Sequence, residues 1–187
     1  YVNTTTEQYK ELAEERGLLH PETCMQWKFA WNPHNDSWCI PGFSSNGDVR
    51  QLYSYRKIKG KRTLLATPTM KHQLFGNDIY NSGSETVYLC EGPWDAMALR
   101  ETLKFSKRNG QGLVPTSNIA GSLLADSAVL ATPGCTTFVA DWKQYFSGKT
   151  TVIAFDNDYP RENGETIQEP ASIAGVKRVS SILAKSK

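Results

Sequence analysis

The chain has 187 residues, 39% of them hydrophobic, and a net charge of +2, an ordinary globular composition able to bury a core as one large domain or two small ones. No stretch approaches the roughly 18 consecutive apolar residues of a membrane span and no charged-then-apolar leader precedes a small-residue cleavage site, so the expectation is a soluble, cytoplasmic protein with no membrane partner. Cys24, Cys39, Cys90 and Cys135 stand singly without CxxC spacing, which argues against a structural zinc site or a disulfide framework and leaves buried free thiols.

In chain order, Tyr1 replaces the usual Met, as expected of a piece of a longer protein. Residues 7–16 read as a helix with Tyr9, Leu12 and Ala13 on one face and Gly17 as its stop signal. From 27 to 65 the pattern turns aromatic and β-branched: Trp27-Lys28-Phe29-Ala30, then Ser37-Trp38-Cys39-Ile40-Pro41, then 48–58 after Asn46-Gly47, a strong hairpin signal. Residues 49–77 contain no Asp or Glu, while Arg50, Arg56, Lys57, Lys59, Lys61, Arg62 and Lys71 carry +7. The rest of the chain therefore carries −5, an asymmetry that suits either a polyanion-binding face or a solvated hairpin.

After Asn81-Ser82-Gly83-Ser84 the style changes. Residues 87–90 read as a buried strand, followed by Pro93 at the first turn of a helix carrying Ala96, Met97, Leu99 and Leu103. A second β-α unit runs from Val129-Leu130-Ala131 through Thr132-Pro133-Gly134 into a helix over 137–146. A third runs over 151–158 and, after a polar loop, into a helix over 171–183 with Ile173, Val176, Ser180 and Leu183 on one face. Residues 105–127, holding Gly110, Gly112 and Pro115, give no clear period. The expected class is α/β: an α+β N-terminal subdomain over 1–80, then a parallel, Rossmann-like sheet flanked by helices over 81–187.

Two of these strands deliver acid at their exits. Glu91-Gly92-Pro93-Trp94-Asp95 follows the first, and Asp156-Asn157-Asp158 follows Val152-Ile153-Ala154-Phe155. The carboxyl ends of parallel strands share one edge, and residues two apart in an extended segment project to the same side. Each acid alone has a plain reading as helix-start or turn former. Together, Glu91, Asp156 and Asp158 with no basic partner suggest a divalent metal such as Mg²⁺, which takes hard oxygen ligands alongside substrate phosphates. His20, His34 and His72 belong to no motif.

These motifs, in order with Ala131-Thr132-Pro133-Gly134 between them, resemble the TOPRIM fold shared by primases, topoisomerases and some nucleases. Upstream, Ile40-Pro41-Gly42-Phe43, Asn46-Gly47-Asp48-Val49, Tyr53-Ser54-Tyr55-Arg56, Lys61-Arg62, Thr67-Pro68, Lys71 and Leu74-Phe75-Gly76 resemble the catalytic, RNA-polymerising domain of bacterial and phage DNA primases, phage primase-helicases above all. The resemblance covers residues 7–185. It departs in a longer stretch over 105–127, in residues 159–170 after Asp158, and in lacking the Cys-rich zinc module that often precedes such domains.

The resemblance implies template-directed synthesis of an RNA primer from NTPs on single-stranded DNA, in a bacterial cell or phage-infected host. It implies a partner helicase and a zinc-binding template-recognition domain in cis or trans. Glu91, Asp156 and Asp158 would hold Mg²⁺ or Mn²⁺, with Asp95 supporting the site from the first helical turn. Gly92 and Gly134 would let backbone approach phosphate, and Arg56, Arg62, Lys71 and Lys61 would bind nucleotide or DNA phosphates. Lys57, Lys59 and Lys61 also read as a solvated edge, Tyr53 and Tyr55 as packing, and Trp27, Trp31 and Trp38 as core. The alternatives are a TOPRIM nuclease using the same carboxylates and a catalytically silent nucleic-acid-binding module. A topoisomerase is disfavoured by chain length.

Overall fold

The computed structural model describes residues 4–109, 112–116, 121–158, 161–163 and 166–184. Gly110, Tyr159, Pro160, Gly164 and Glu165 lie outside them. Helix α1, Thr6–Glu15, starts on a reciprocal cap: Thr5 Oγ1 accepts from the Gln8 amide while Gln8 Oε1 accepts from the Thr5 amide, satisfying two of the donors that a helix start leaves open. It buries Leu12 and Ala13 and stops at Gly17, in the left-handed region at φ +66°, where a residue without Cβ is favoured.

A second helix, α2 (Pro21–Gln26), opens on Pro21 at its first turn. This corrects the strand expected over Trp27-Lys28-Phe29-Ala30. Trp27 ends α2, Lys28 turns the chain at φ +58°, and strand structure begins only at Ala30. The aromatic character there comes from a buried helix end and turn, Trp27 and Phe29, rather than from a pleated strand.

Strands β1 (Ala30–Asn32), β2 (Ser37–Phe43), β3 (Val49–Ile58) and β4 (Lys61–Ala66) form an antiparallel sheet in that order. The expected hairpin at Asn46-Gly47 joins β2 to β3, with Gly47 at φ +80°. Lys59 and Gly60, both at positive φ, make the two-residue turn between β3 and β4. One face of the sheet buries Trp38, Ile40, Tyr53 and Tyr55, and their cluster continues without a break into Cys90, Ala96, Met97, Val129 and Ala131 of the second half.

The second half is built on β5 (Thr86–Cys90), α3 (Pro93–Lys104), β6 (Ser106–Asn109), β7 (Gly112–Pro115), β8 (Ser127–Ala131), β9 (Thr150–Ala154), β10 (Arg161–Asn163), β11 (Thr166–Gln168) and α4 (Ala171–Ala184). Strands β8, β5 and β9 form a parallel sheet in that order. The stretch without clear period contains the antiparallel pair β6 and β7, and β10 pairs with β11. Phe75 exchanges both backbone hydrogen bonds with Ala131, at 2.9 and 3.1 Å, so the connecting segment lies antiparallel along β8.

Three expectations change here. The helix over 137–146 is a 3₁₀ segment confined to Ala140–Tyr145. Strand β9 ends at Ala154, leaving Asp156 and Asp158 beyond it in irregular backbone. Helix α4 buries Ser172, Gly175 and Val179, while Ile173 is exposed: it packs through small residues that permit close backbone approach, which an apolar-stripe reading misses. Among the described residues no helix is long and apolar enough to cross a membrane.

Candidate acidic functional site

The parallel register sets Cys90 opposite Ala131 on one side and Ala154 on the other. Glu91, Thr132 and Phe155 therefore leave the sheet at the same level, and whatever follows them meets at one edge. Thr132 ties two of these exits together: its amide donates to the Cys90 carbonyl at 3.0 Å and its hydroxyl to the Glu91 carbonyl at 3.1 Å.

Glu91 is half-buried, and its Oε2 is removed from water with no hydrogen-bond partner. Burial pushes its carboxyl above the usual range, and the charges of Asp156 and Asp158 push it further. The Asp156 amide and the Cys135 thiol act the other way by hydrogen bonding. Asp95 is raised too, by loss of surrounding water and then by Asp156; the amides of Asp95 and Gly92 and the charge of Arg16 oppose the rise. Cys90, buried just beneath, has its thiol pushed up to about 12 by burial and by Asp95 and Asp156. Cys24 is buried likewise and is also pushed up to about 12, so both behave as the expected inert thiols.

Glu91, Asp95, Asp156 and Asp158 thus share one electrostatic neighbourhood. They do not form a ready-made cage: among the described residues, no group of three or more His, Cys, Asp or Glu side chains stands close enough to hold one ion. Asp95 lies in the first turn of α3, where the helix dipole favours a carboxylate. Gly92 leaves it room, since a Cβ there would lie 3.2 Å from Asp95 Oδ2. At Gly134 a Cβ would meet only Thr137 Cγ2 at 3.8 Å, so packing does not demand glycine at that position.

The basic candidates are dispersed. Arg62 is held by Glu15 through two 3.0 Å contacts and lies over the Tyr55 ring. Arg56 alternates with Tyr53 and Tyr55 and so occupies the sheet face turned away from the shared core. Lys61 is exposed where the β3–β4 hairpin turns. None of these three is among the charges that act on Glu91 or Asp95 most strongly. Lys71 is exposed in an open cleft of about 510 Å³, with His72, Gln73, Asp141, Trp142 and Gln144 among its walls.

A cation that acts on Asp95 is Arg16, which composition does not single out. Its guanidinium lies 4.5 Å over the Trp94 ring and 5.3 Å over Tyr55, and it donates to the Tyr55 hydroxyl at 3.0 Å. Its position before Gly17 reads only as a helix end, so composition offers no signal for a contact made across the fold.

No protein-family model matches the sequence, and no curated protein matches it. Solved structures match its fold. The primase fragment of the bacteriophage T7 primase-helicase superposes with a TM-score of 0.59 at 16% identity, covering 91% of this chain and 59% of that one. The Aquifex aeolicus primase, with zinc-binding and RNA polymerase domains, gives 0.62 at 16% identity over 98% of this chain and 48% of its own. A DnaG primase catalytic domain bound to single-stranded DNA gives 0.55 at 15% identity, covering 84% and 56%. The chain has the fold of the primase catalytic core across most of its length, and it spans about half to three fifths of these matched chains.

Proposed function

We propose that the chain is the catalytic core of a DNA primase, condensing ribonucleoside triphosphates on a single-stranded DNA template into a short RNA primer with release of pyrophosphate. The observation that carries the proposal is the meeting of Glu91 with Asp156 and Asp158 at the carboxyl edge of a parallel sheet, in a fold shared with primase cores. Carboxylates that raise one another's proton affinity gain from a cation between them.

The donor set fits Mg²⁺ or Mn²⁺. Glu91 presents a buried oxygen without a partner, the exposed Asp156 and Asp158 side chains can turn toward it, and Mg²⁺ binds through one or two carboxylates plus substrate phosphates. Glu91, Asp156 and Asp158 would hold the ion, which supplies neutralisation of phosphate charge and a more nucleophilic attacking hydroxyl when bound. Thr132 fixes the backbone of Glu91, Asp95 stands beside it in the first turn of α3, and Lys71 offers a cation to phosphate from its cleft. Template selection and strand opening fall to partners, a zinc-binding module and a helicase.

The test supplies four ribonucleotides, a single-stranded template and Mg²⁺ or Mn²⁺, with a parallel reaction on labelled DNA lacking nucleotides. Primer synthesis is expected. Cleavage without synthesis would replace the proposal with a nuclease.

A further inference from the structure

His72 belongs to no motif, yet the fold orients its ring. Tyr53, 2% exposed and packed on Phe75 at 4.7 Å between centroids, places its hydroxyl 3.3 Å from His72 Nδ1, with the two rings 14° from parallel. The same hydroxyl accepts from the Gln73 amide at 3.2 Å, which ties the backbone beside His72 to β3. Its single hydrogen has two acceptors within reach, His72 Nδ1 at 3.3 Å and the Gln73 carbonyl at 3.5 Å, and the shorter contact favours the ring. A neutral His72 then carries its own hydrogen on Nε2, as a protonated one does. Nε2 makes no hydrogen bond among the described residues. The two ring nitrogens aim in diverging directions, so Nε2 faces away from Tyr53, and His72 lines the same cleft of about 510 Å³ as Lys71.

The cleft is rich in donors. Lys71 and His72 are both exposed in it, Gln144 adds an amide, and Ser44 Oγ in its wall is withdrawn from water without a hydrogen-bond partner. Among the described residues that line it, Asp141 is the one acid. The volume suits a nucleotide-sized ligand. Its place in the fold suits one too: Phe75 pairs antiparallel with Ala131, the last residue of β8, so residues 71–73 run on past the carboxyl end of that strand, the edge at which Glu91 also leaves the sheet. We infer that His72 is a phosphate-binding residue, donating from Nε2 to a phosphate oxygen beside the Lys71 cation, and that Tyr53 is the positioning residue that sets the tautomer and direction of its ring. The phosphate is that of a nucleoside triphosphate or of a single DNA strand, which present the same oxygens.

The inference deepens the proposed function by naming a contact for its substrate, and its readout needs no activity. Affinities for ATP with Mg²⁺ and, separately, for a short single-stranded oligodeoxynucleotide are measured for the intact chain, His72→Ala, His72→Gln and Tyr53→Phe, together with imidazole nitrogen spectra. A hydrogen bond to a charged group is worth on the order of tenfold in affinity. His72→Ala is expected to lose about that factor, and the ligand whose affinity falls identifies the source of the phosphate. His72→Gln, which keeps a side-chain N–H, is expected to recover part of the loss. Tyr53→Phe, which keeps the packed ring, is expected to lose less than His72→Ala and to turn a neutral His72 with hydrogen on Nε2 into a mixture of tautomers. His72→Ala affinities within about twofold of the intact chain for both ligands, or an intact chain that binds neither, would overturn the inference. A neutral His72 with its hydrogen on Nδ1 in the intact chain would overturn the part given to Tyr53. Loss of binding in the His72 variants of a chain that makes no primer would overturn the proposed function and leave this inference standing.

Discussion

Glu101 offers a demanding stability test. Only 4% exposed, it extends from α3 to the start of α2, where its carboxylate accepts from the Leu19 amide at 2.8 Å, the His20 amide at 3.1 Å and the Thr23 hydroxyl. Helix α2 has no side-chain cap from His20, so a residue about eighty positions away supplies the negative charge that a helix N-terminus favours. Glu101→Ala deletes the acceptor, leaving the buried Thr23 hydroxyl unpaired and the part-buried Leu19 and His20 amides without their charged partner. Hydrogen bonds to charged groups contribute about 1.5–3 kcal/mol each, so losing one buried and two part-buried bonds should cost about 3–5 kcal/mol in total. Against a typical net stability of about 5–15 kcal/mol, and at about 2–4 °C per kcal/mol for a chain of this size, the melting temperature should fall by roughly 6–20 °C. Glu101→Gln, keeping one acceptor, should lose less. Thermal and urea unfolding followed by circular dichroism measure both; a Glu101→Ala chain within about 1 kcal/mol of the original would refute the capping role.

Other consequences are equally direct. Because the Glu91 carboxyl is raised, it is neutral below the ordinary glutamate value of about 4.3, and its ionisation subtracts stability as pH climbs through the raised folded value. The metal-free protein should therefore lose stability as pH rises through that window, and Glu91→Gln should remove that loss and melt higher than the intact chain near pH 7; no gain would show that burial and the neighbouring carboxylates do not disfavour the ionised Glu91. Gly76 sits at φ +81° with a Cβ position 2.8 Å from the Val129 carbonyl oxygen, so Gly76→Ala should destabilise by about 2–4 kcal/mol in denaturant titration. Lys71→Ala should lower the salt slope of single-stranded DNA binding by about 0.7. Arg62→Ala, which removes a side chain held by Glu15, should leave that slope unchanged. The reverse pattern would relocate the phosphate path.

Local chemistry made much of the fold readable. Asn46-Gly47 named its hairpin, Pro93 marked the start of α3, and alternation along β3 separated the buried Tyr53 and Tyr55 from Arg56. Glu91 and Asp156 were legible as a pair because parallel strands release their ends at one edge. What stayed hidden depends on partners distant in sequence. Arg16 acquires its role from Trp94 and Tyr55, and Glu101 from Leu19, His20 and Thr23. The buried face of α4 centres on Ser172, Gly175 and Val179 rather than on Ile173 and Ser180, because Gly175 contributes proximity rather than apolar area. The six residues of α2 are too few to show a period, and Trp27 and Phe29 beyond them have the aromatic composition of a strand while lying at a helix end and a turn. Basic composition over 49–77 was plain, but charge alone did not reveal that Arg62 is committed to Glu15.

The central claim is that the carboxylates at the sheet edge carry nucleotidyl transfer. The decisive measurement is dinucleotide and primer formation from labelled ribonucleotides on single-stranded DNA with Mg²⁺ or Mn²⁺, comparing the intact chain with Glu91→Gln and Asp156→Asn after circular dichroism has shown all three to be folded. The account predicts product from the intact chain, none with EDTA, and a loss of at least about a hundredfold in each variant. Undiminished product from either folded variant would contradict it.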